Sequence, residues 1–217
     1  MNSQLLQLLV LAAIAIFLIM RLRSVLGTRD GFEGSPAADR RKAQNRDFEV
    51  IEGGQDLEIL DYAEEGSPQA DALRAMKKAE SDFGISDFLQ GGKAAYEMII
   101  MAYENGDLSE VQPFLSEDVY DAFASGIEAR KAQGLTIEAN FIGVRETTLA
   151  DAKFDHATNT AELDVKFVGE MTSIVRDSSG DVVEGSETEM KRQKDVWTFQ
   201  RAMGSDDLNW TLTATGG

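Results

Sequence analysis

Ala161-Glu-Leu-Asp-Val-Lys-Phe167 alternates apolar and polar side chains without a break. Successive side chains of an extended chain point to opposite faces, so this is the pattern of a strand with one buried face. Working outward, Leu135-Thr-Ile-Glu-Ala-Asn-Phe-Ile142 alternates in the same way, and Asp155–Asn159 between the two reads as a turn. On the other side, Met171–Val175 carries the strand onward to a hairpin tip at Asp177-Ser-Ser-Gly-Asp181. A return strand follows over Thr188–Arg201, with Val196, Trp197 and Phe199 in it. The polar turn Ser205–Asn209 then leads into a last strand, Trp210–Ala214. Strands joined by short turns pair with their neighbours, so the expected sheet is a four-stranded antiparallel meander.

Upstream the period changes to that of a helix. Ser67-Pro68 supplies an N-cap and a first-turn proline, and Ala70, Leu73 and Met76 give the following helix a narrow apolar stripe. Ser86 and Asp87 offer an N-cap for a second helix, Phe88–Tyr103, with Leu89, Tyr96, Ile99, Ile100 and Tyr103 at spacings of three and four. Gly91-Gly92 and Ala94-Ala95 imply close approach by another element, and Asn105-Gly106 has left-handed C-cap chemistry. Asp107–Leu115 reads as a short helix. Ser116 caps the next one, with Glu117 and Asp118 in the first turn, an apolar face of Val119, Tyr120, Phe123, Ala124 and Ile127, and a stop at Gly134. Helices followed by strands define an α+β fold, in which three or four helices pack on one face of a curved four-stranded antiparallel sheet.

The N-terminus is of another kind. Leu5–Met20 is almost wholly aliphatic and free of charge, glycine and proline. As a helix it spans roughly 24 Å, against a hydrocarbon core of roughly 30 Å. Snorkelling of Arg21 and Arg23 makes up the difference. A cleaved signal peptide carries its cations before the apolar run, whereas Arg21, Arg23 and Arg29 all follow it. We therefore expect a single-pass anchor, with Leu5, Leu9, Ile14, Phe17 and Met20 in the span and Arg21 and Arg23 at its boundary. The excess of positive charge after the run places the N-terminus outside and the rest of the chain in the cytoplasm. Residues 28–66, with Gly31, Gly34, Ser35-Pro36 and Gly53-Gly54, read as an acidic flexible linker. Its basic cluster Arg40-Arg41-Lys42 with Arg46 reads as solvated, and Phe48–Ile51 and Leu57–Leu60 are apolar islands available for docking. The expected organisation is an anchor over 1–27, a linker over 28–66 and an α+β domain over 67–217.

Composition narrows the function. The 217 residues carry a net charge of −17, which argues against a nucleic-acid partner because phosphate binding needs a basic footprint. The absence of cysteine excludes disulfides and thiol nucleophiles. His156, the single histidine, stands in a strand-to-strand turn beside Asp155, whereas a catalytic dyad needs it buried against a positioned carboxylate. Asp177–Asp181 lacks the closing glutamate of a calcium loop, and the acids elsewhere have no metal-ligand spacing. Asn209-Trp-Thr211 matches a glycosylation sequon that a cytoplasmic domain would not use. No catalytic, metal or cofactor site is expected. A curved sheet facing helices does favour an apolar cavity, for which Tyr96, Ile100, Tyr120, Phe123, Phe141, Phe167, Trp197 and Trp210 are the candidate lining residues.

Three segments carry a family resemblance: Phe88-Leu-Gln-Gly-Gly-Lys-Ala-Ala-Tyr-Glu-Met-Ile99, the run from Gly106 to Phe123, and the end of the chain, Val196–Arg201 with Ser205–Gly216. In this order they resemble the domain of the translocase-of-the-inner-membrane subunit 44 family (Tim44-like domain). The anchor, Arg-Leu-Arg-Ser-Val-Leu-Gly and acidic linker look like bacterial, especially alphaproteobacterial, members. The resemblance implies a cone-like fold related to nuclear transport factor 2, with a large apolar pocket. It also implies a non-enzymatic scaffold that engages membrane proteins, translocation machinery or a heat-shock chaperone, and touches anionic lipid. Against the mitochondrial relatives, the expected anchor stands in place of a presequence, and most of their long basic, helical N-terminal region for chaperone and membrane binding has no counterpart in this sequence. The expectation is a protein of the bacterial inner membrane, N-terminus periplasmic and domain cytoplasmic, acting as a scaffold or binding protein. Lipid or small-ligand binding in the pocket is the alternative, and an enzyme using that pocket stands third.

Overall fold

The computed structural model describes residues 56–216, all within one compact unit spanning Glu52–Gly217. The expected anchor at Leu5–Met20, and the linker up to residue 55, lie outside the described residues. Among the described residues no helix is long and apolar enough to cross a membrane.

The first helix, α1 (Leu57–Tyr62), corrects the expected linker. Asp56 caps it by accepting from the Glu58 N–H, and Ile59 is only 1% exposed. Lys77 on the next helix binds Asp56 at 2.8 Å and Glu58 at 2.5 Å, so residues 57–66 belong to the folded unit. A six-residue helix shows too little periodicity to stand out from an acidic linker, and its burial comes from tertiary contacts.

Helix α2 (Pro68–Ala79) opens as its sequence predicts: the Ser67 Oγ accepts from the Ala70 N–H at 3.1 Å, with Pro68 in the first turn. Ala70, Leu73 and Met76 are fully buried. Helix α3 (Ile85–Asn105) begins earlier than expected. Its N-cap is Gly84, which has no side chain to offer, and Glu58 of α1 accepts from the Ser86 N–H at 2.9 Å in place of a local cap. Gly106 closes α3 in the left-handed region, φ +72°, where the missing Cβ removes the steric penalty. Asp107–Leu115 holds only one 3₁₀ turn, Gln112–Phe114, in place of the expected short helix. Asp107 bends the chain instead by accepting from the Ser109 N–H, and Pro113 has no N–H for a longer ladder. Helix α4 (Glu117–Ala132) is capped by Ser116, as expected.

Strands β1 (Thr136–Asp155), β2 (Thr160–Arg176), β3 (Val182–Ala202) and β4 (Thr211–Gly216) form an open antiparallel sheet in that order. The four-strand meander is as predicted; the lengths of β1 and β3 are not. In β1 the register shifts between Phe141 and Gly143, Val144 and Glu146, and Leu149 and Asp151. Each bulge moves the alternation by one residue, which erases the period-two signal beyond Ile142. In β3 the partner of Met171 is Lys191 and that of Ser173 is Ser186, so residues 187–190 are accommodated as extra length.

The inner face of β2 contributes Ala161, Leu163, Val165 and Phe167, all fully buried, beside Trp197 and Phe199 of β3. Helices α2 and α3 lie against β1. Tyr96 of α3 is the centre of the packing, stacked on Phe167 at 4.6 Å and tilted against Trp197 at 4.7 Å. Its hydroxyl donates to Asp195 on β3. On the outer face Glu170 is buried under Arg145 and Arg192, which bind its carboxylate at 3.2 and 2.9 Å.

Candidate binding groove

The cavity expected between helices and sheet is filled. Tyr96, Phe167 and Trp197 occupy it with at most 2% exposure each, and Ile100 is buried beside them. Tyr120, Phe123 and Phe141 are half-buried and pack against that core, Phe123 on Tyr103 and Phe141 on Tyr96. Of the eight candidate lining residues, Trp210 alone faces the open groove that the fold does leave.

That groove has a volume of about 520 Å³ and runs along one side of α3. Phe88, Gly91, Ala94, Ala95 and Met98 supply its helical wall, at spacings of three and four that keep them on one face. At Gly91 a Cβ would meet nothing within 4 Å, so this glycine deepens open space. At Gly92 a Cβ would lie 3.7 Å from the Phe167 ring, which is the close approach that the glycine pair suggested.

Aromatic rings form the floor. Trp210 lies 4.6 Å from Phe88 and 5.9 Å from Phe83, and Phe88 meets Phe199 edge-on at 5.9 Å. Phe114 from the 3₁₀ turn and Leu208 from the β3–β4 loop complete the walls. Met98 and Leu208 are 38% and 67% exposed, an apolar rim that the folded unit leaves in water.

The charges are unevenly placed. Glu80, Asp82 and Asp87 line the groove, and the only basic side chain among its lining residues is Arg201. Arg201 is itself buried and donates from Nη2 to Glu80 Oε1 at 2.7 Å, while Glu80 Oε2 accepts from the Gly204 N–H at 3.0 Å. Burial by itself pushes the Glu80 carboxyl up. The Gly204 and Arg201 contacts outweigh it and hold the group below the usual carboxylate range. The Arg201 guanidinium also lies 5.1 Å from the centre of the Trp210 ring. The groove therefore offers an aromatic floor under a rim of net negative charge.

The histidine and the buried phenol both lie away from the groove lining. His156 is exposed outside the groove, edge-on to the Phe154 ring at 5.1 Å and close enough to Asp155 to act on its charge. Burial and Asp195 push the Tyr96 phenol far up, so it remains a neutral hydrogen-bond donor in the core. Among the described residues no group of three or more His, Asp or Glu is placed to hold a metal ion.

Tyr96 and Ile100 share the apolar stripe that the core takes, whereas the groove uses the small-residue side, Gly91, Ala94 and Ala95. Arg201, Glu80 and Leu208 had no local signal, because only the long-range fold brings them together.

The family described as Tim44-like domain matches residues 69–217. No curated protein matches the chain. Among solved structures, the crystal structure of the intermembrane space region of the chloroplast protein ARC6 is similar at 8% identity. That likeness covers 67% of this chain and 90% of the other with a TM-score of 0.33, too distant to extend a functional reading.

Proposed function

This chain belongs to the Tim44-like domain family, and on that premise we propose that it is a membrane-anchored, non-enzymatic scaffold whose groove holds basic, apolar segments of client polypeptides. The family is associated with protein translocation, which supports a binding or scaffold role. One observation carries the choice of ligand: an open aromatic groove rimmed by Glu80, Asp82 and Asp87. An anionic lipid headgroup meets repulsion at that rim, and a cationic, apolar peptide meets complementary charge. The clients on this reading are membrane proteins or components of translocation machinery, with a heat-shock chaperone as a further partner. Lipid binding is the second reading, favoured by the apolar lining alone.

The anchor at Leu5–Met20, the domain in the cytoplasm and a bacterial inner membrane are parts of the same proposal, resting on the charge that follows the apolar run. Ser179 is exposed at the β2–β3 hairpin tip and the chain has no cysteine, so Ser179→Cys is a clean reporter. Labelling by an impermeant maleimide only after spheroplast lysis supports the cytoplasmic placement; labelling of intact spheroplasts rejects it.

Ligand choice is tested by fluorescence anisotropy of a dye-labelled peptide of Leu, Ala and Arg, titrated with the full chain in phosphatidylcholine nanodiscs. Met98→Lys narrows the groove and adds a cation to it. Weakening of peptide binding by tenfold or more supports the proposal, and unchanged affinity rejects it.

A further inference from the structure

Arg201 is 7% exposed and lines the groove, yet its Nε–H has no hydrogen-bond partner. Elsewhere on the group, Nη2 reaches Glu80 at 2.7 Å and the Met203 sulfur at 3.5 Å, and the Trp210 ring lies beside the guanidinium. A buried donor without an acceptor is costly, because water no longer solvates it. An acceptor supplied by a ligand would remove that cost.

We propose that Arg201 Nε is the polar anchor of the groove and takes a neutral backbone carbonyl of the bound client segment. This rests on the peptide reading of the groove given above.

The charge balance selects the kind of acceptor. Glu80 already neutralises the guanidinium, and Asp82 and Asp87 add negative charge to the lining. What remains at Arg201 is a directional N–H without net positive charge around it. A carboxylate or phosphate would bring a further anion to this acidic site, whereas an amide carbonyl brings a good acceptor without one. Within a client helix most carbonyls are used internally. The carbonyl that fits belongs to an extended segment or to the last turn of a helix, where the final four are free. Nε is sealed from water in the unliganded groove. The half-buried Trp210 ring lies 5.1 Å from the guanidinium, so on this proposal the acceptor arrives with a shift of the side chains packed around Arg201.

The test replaces single backbone amides of the Leu/Ala/Arg peptide by esters, whose carbonyls are weaker acceptors, and measures affinity for the full chain in phosphatidylcholine nanodiscs. One ester position should weaken binding to wild type by about five- to tenfold, the size of one hydrogen bond. The same series should be flat against Arg201→Lys, which keeps the charge and lacks Nε–H. A flat series against wild type, with the parent peptide still bound and still sensitive to Met98→Lys, overturns the Arg201 assignment and leaves the groove reading standing. No binding of the parent peptide overturns both. Should Arg201→Lys fail to fold, the wild-type chain labelled with ¹⁵N-arginine answers the same question. One Nε–H resonance should move with the parent peptide and move less with the discriminating ester, and no movement on saturation overturns the assignment.

Discussion

Glu80 and Arg201 are 121 positions apart in the chain and meet at 2.7 Å, where the end of α2 reaches the end of β3. The pair lines the groove and ties the helical layer to the sheet, and Glu80 also holds the Gly204 N–H. Glu80→Ala leaves the buried guanidinium unpaired and should lower stability by about 2 kcal/mol, below the range for fully buried pairs because Glu80 is partly exposed. Urea unfolding at neutral pH measures it.

The same pair sets a pH dependence. Glu80 titrates below its unfolded value, roughly 4.3. Its contribution is therefore fully present above that pH and is lost as the pH falls through the lower folded value. Wild type should lose stability over that acid window, and Glu80→Gln should lose measurably less, by urea midpoints at a series of pH values.

Ile59 tests the boundary of the domain. It is 1% exposed in a helix that the sequence placed in a linker. Ile59→Ala should cost about 2–4 kcal/mol. A chain beginning at residue 67 should be less stable still, since it also loses the Lys77 and Ser86 contacts of Glu58. Equal stability of chains beginning at residues 52 and 67 would show that α1 is dispensable.

Tyr96 separates core from groove. Tyr96→Phe removes the hydroxyl that donates to Asp195 and should cost about 1 kcal/mol. Tyr96→Ala should cost about 3–5 kcal/mol. Affinity for the Leu/Ala/Arg peptide should be unchanged in Tyr96→Phe, because Tyr96 does not line the groove.

Gly185 has φ +82° and its missing Cβ would overlap the Ser173 carbonyl oxygen of the paired strand. Gly185→Ala cannot be accommodated without a backbone shift. Hydrogen exchange at Ser173–Arg176 should quicken by an order of magnitude or more, while amides of α3 stay protected.

These residues also show how far the sequence was legible. The caps at Ser67, Ser116 and Gly106 are local chemistry, readable from two or three neighbours, and they stand where expected. The meander was readable where alternation is unbroken, at Ala161–Phe167, and vanished where bulges reset the phase beyond Ile142. At the site, the aromatic residues with the strongest helical period went to the core, since periodicity reports burial. The groove depends on what period cannot report: the small side chains of Gly91, Ala94 and Ala95, and a loop carrying Leu208 to a helix more than a hundred residues earlier in the chain.

The most direct test of a polypeptide-holding groove is photocrosslinking from inside it. A photoreactive benzoylphenylalanine is placed at Met98 in the full chain, in native membranes, with Thr148 on the exposed outer face of the sheet as the control position. A groove that holds polypeptide should give protease-sensitive adducts from position 98 that fade when the Leu/Ala/Arg peptide is added, and none of these from position 148. Adducts of lipid mass alone from position 98, resistant to protease and to the competing peptide, would contradict it.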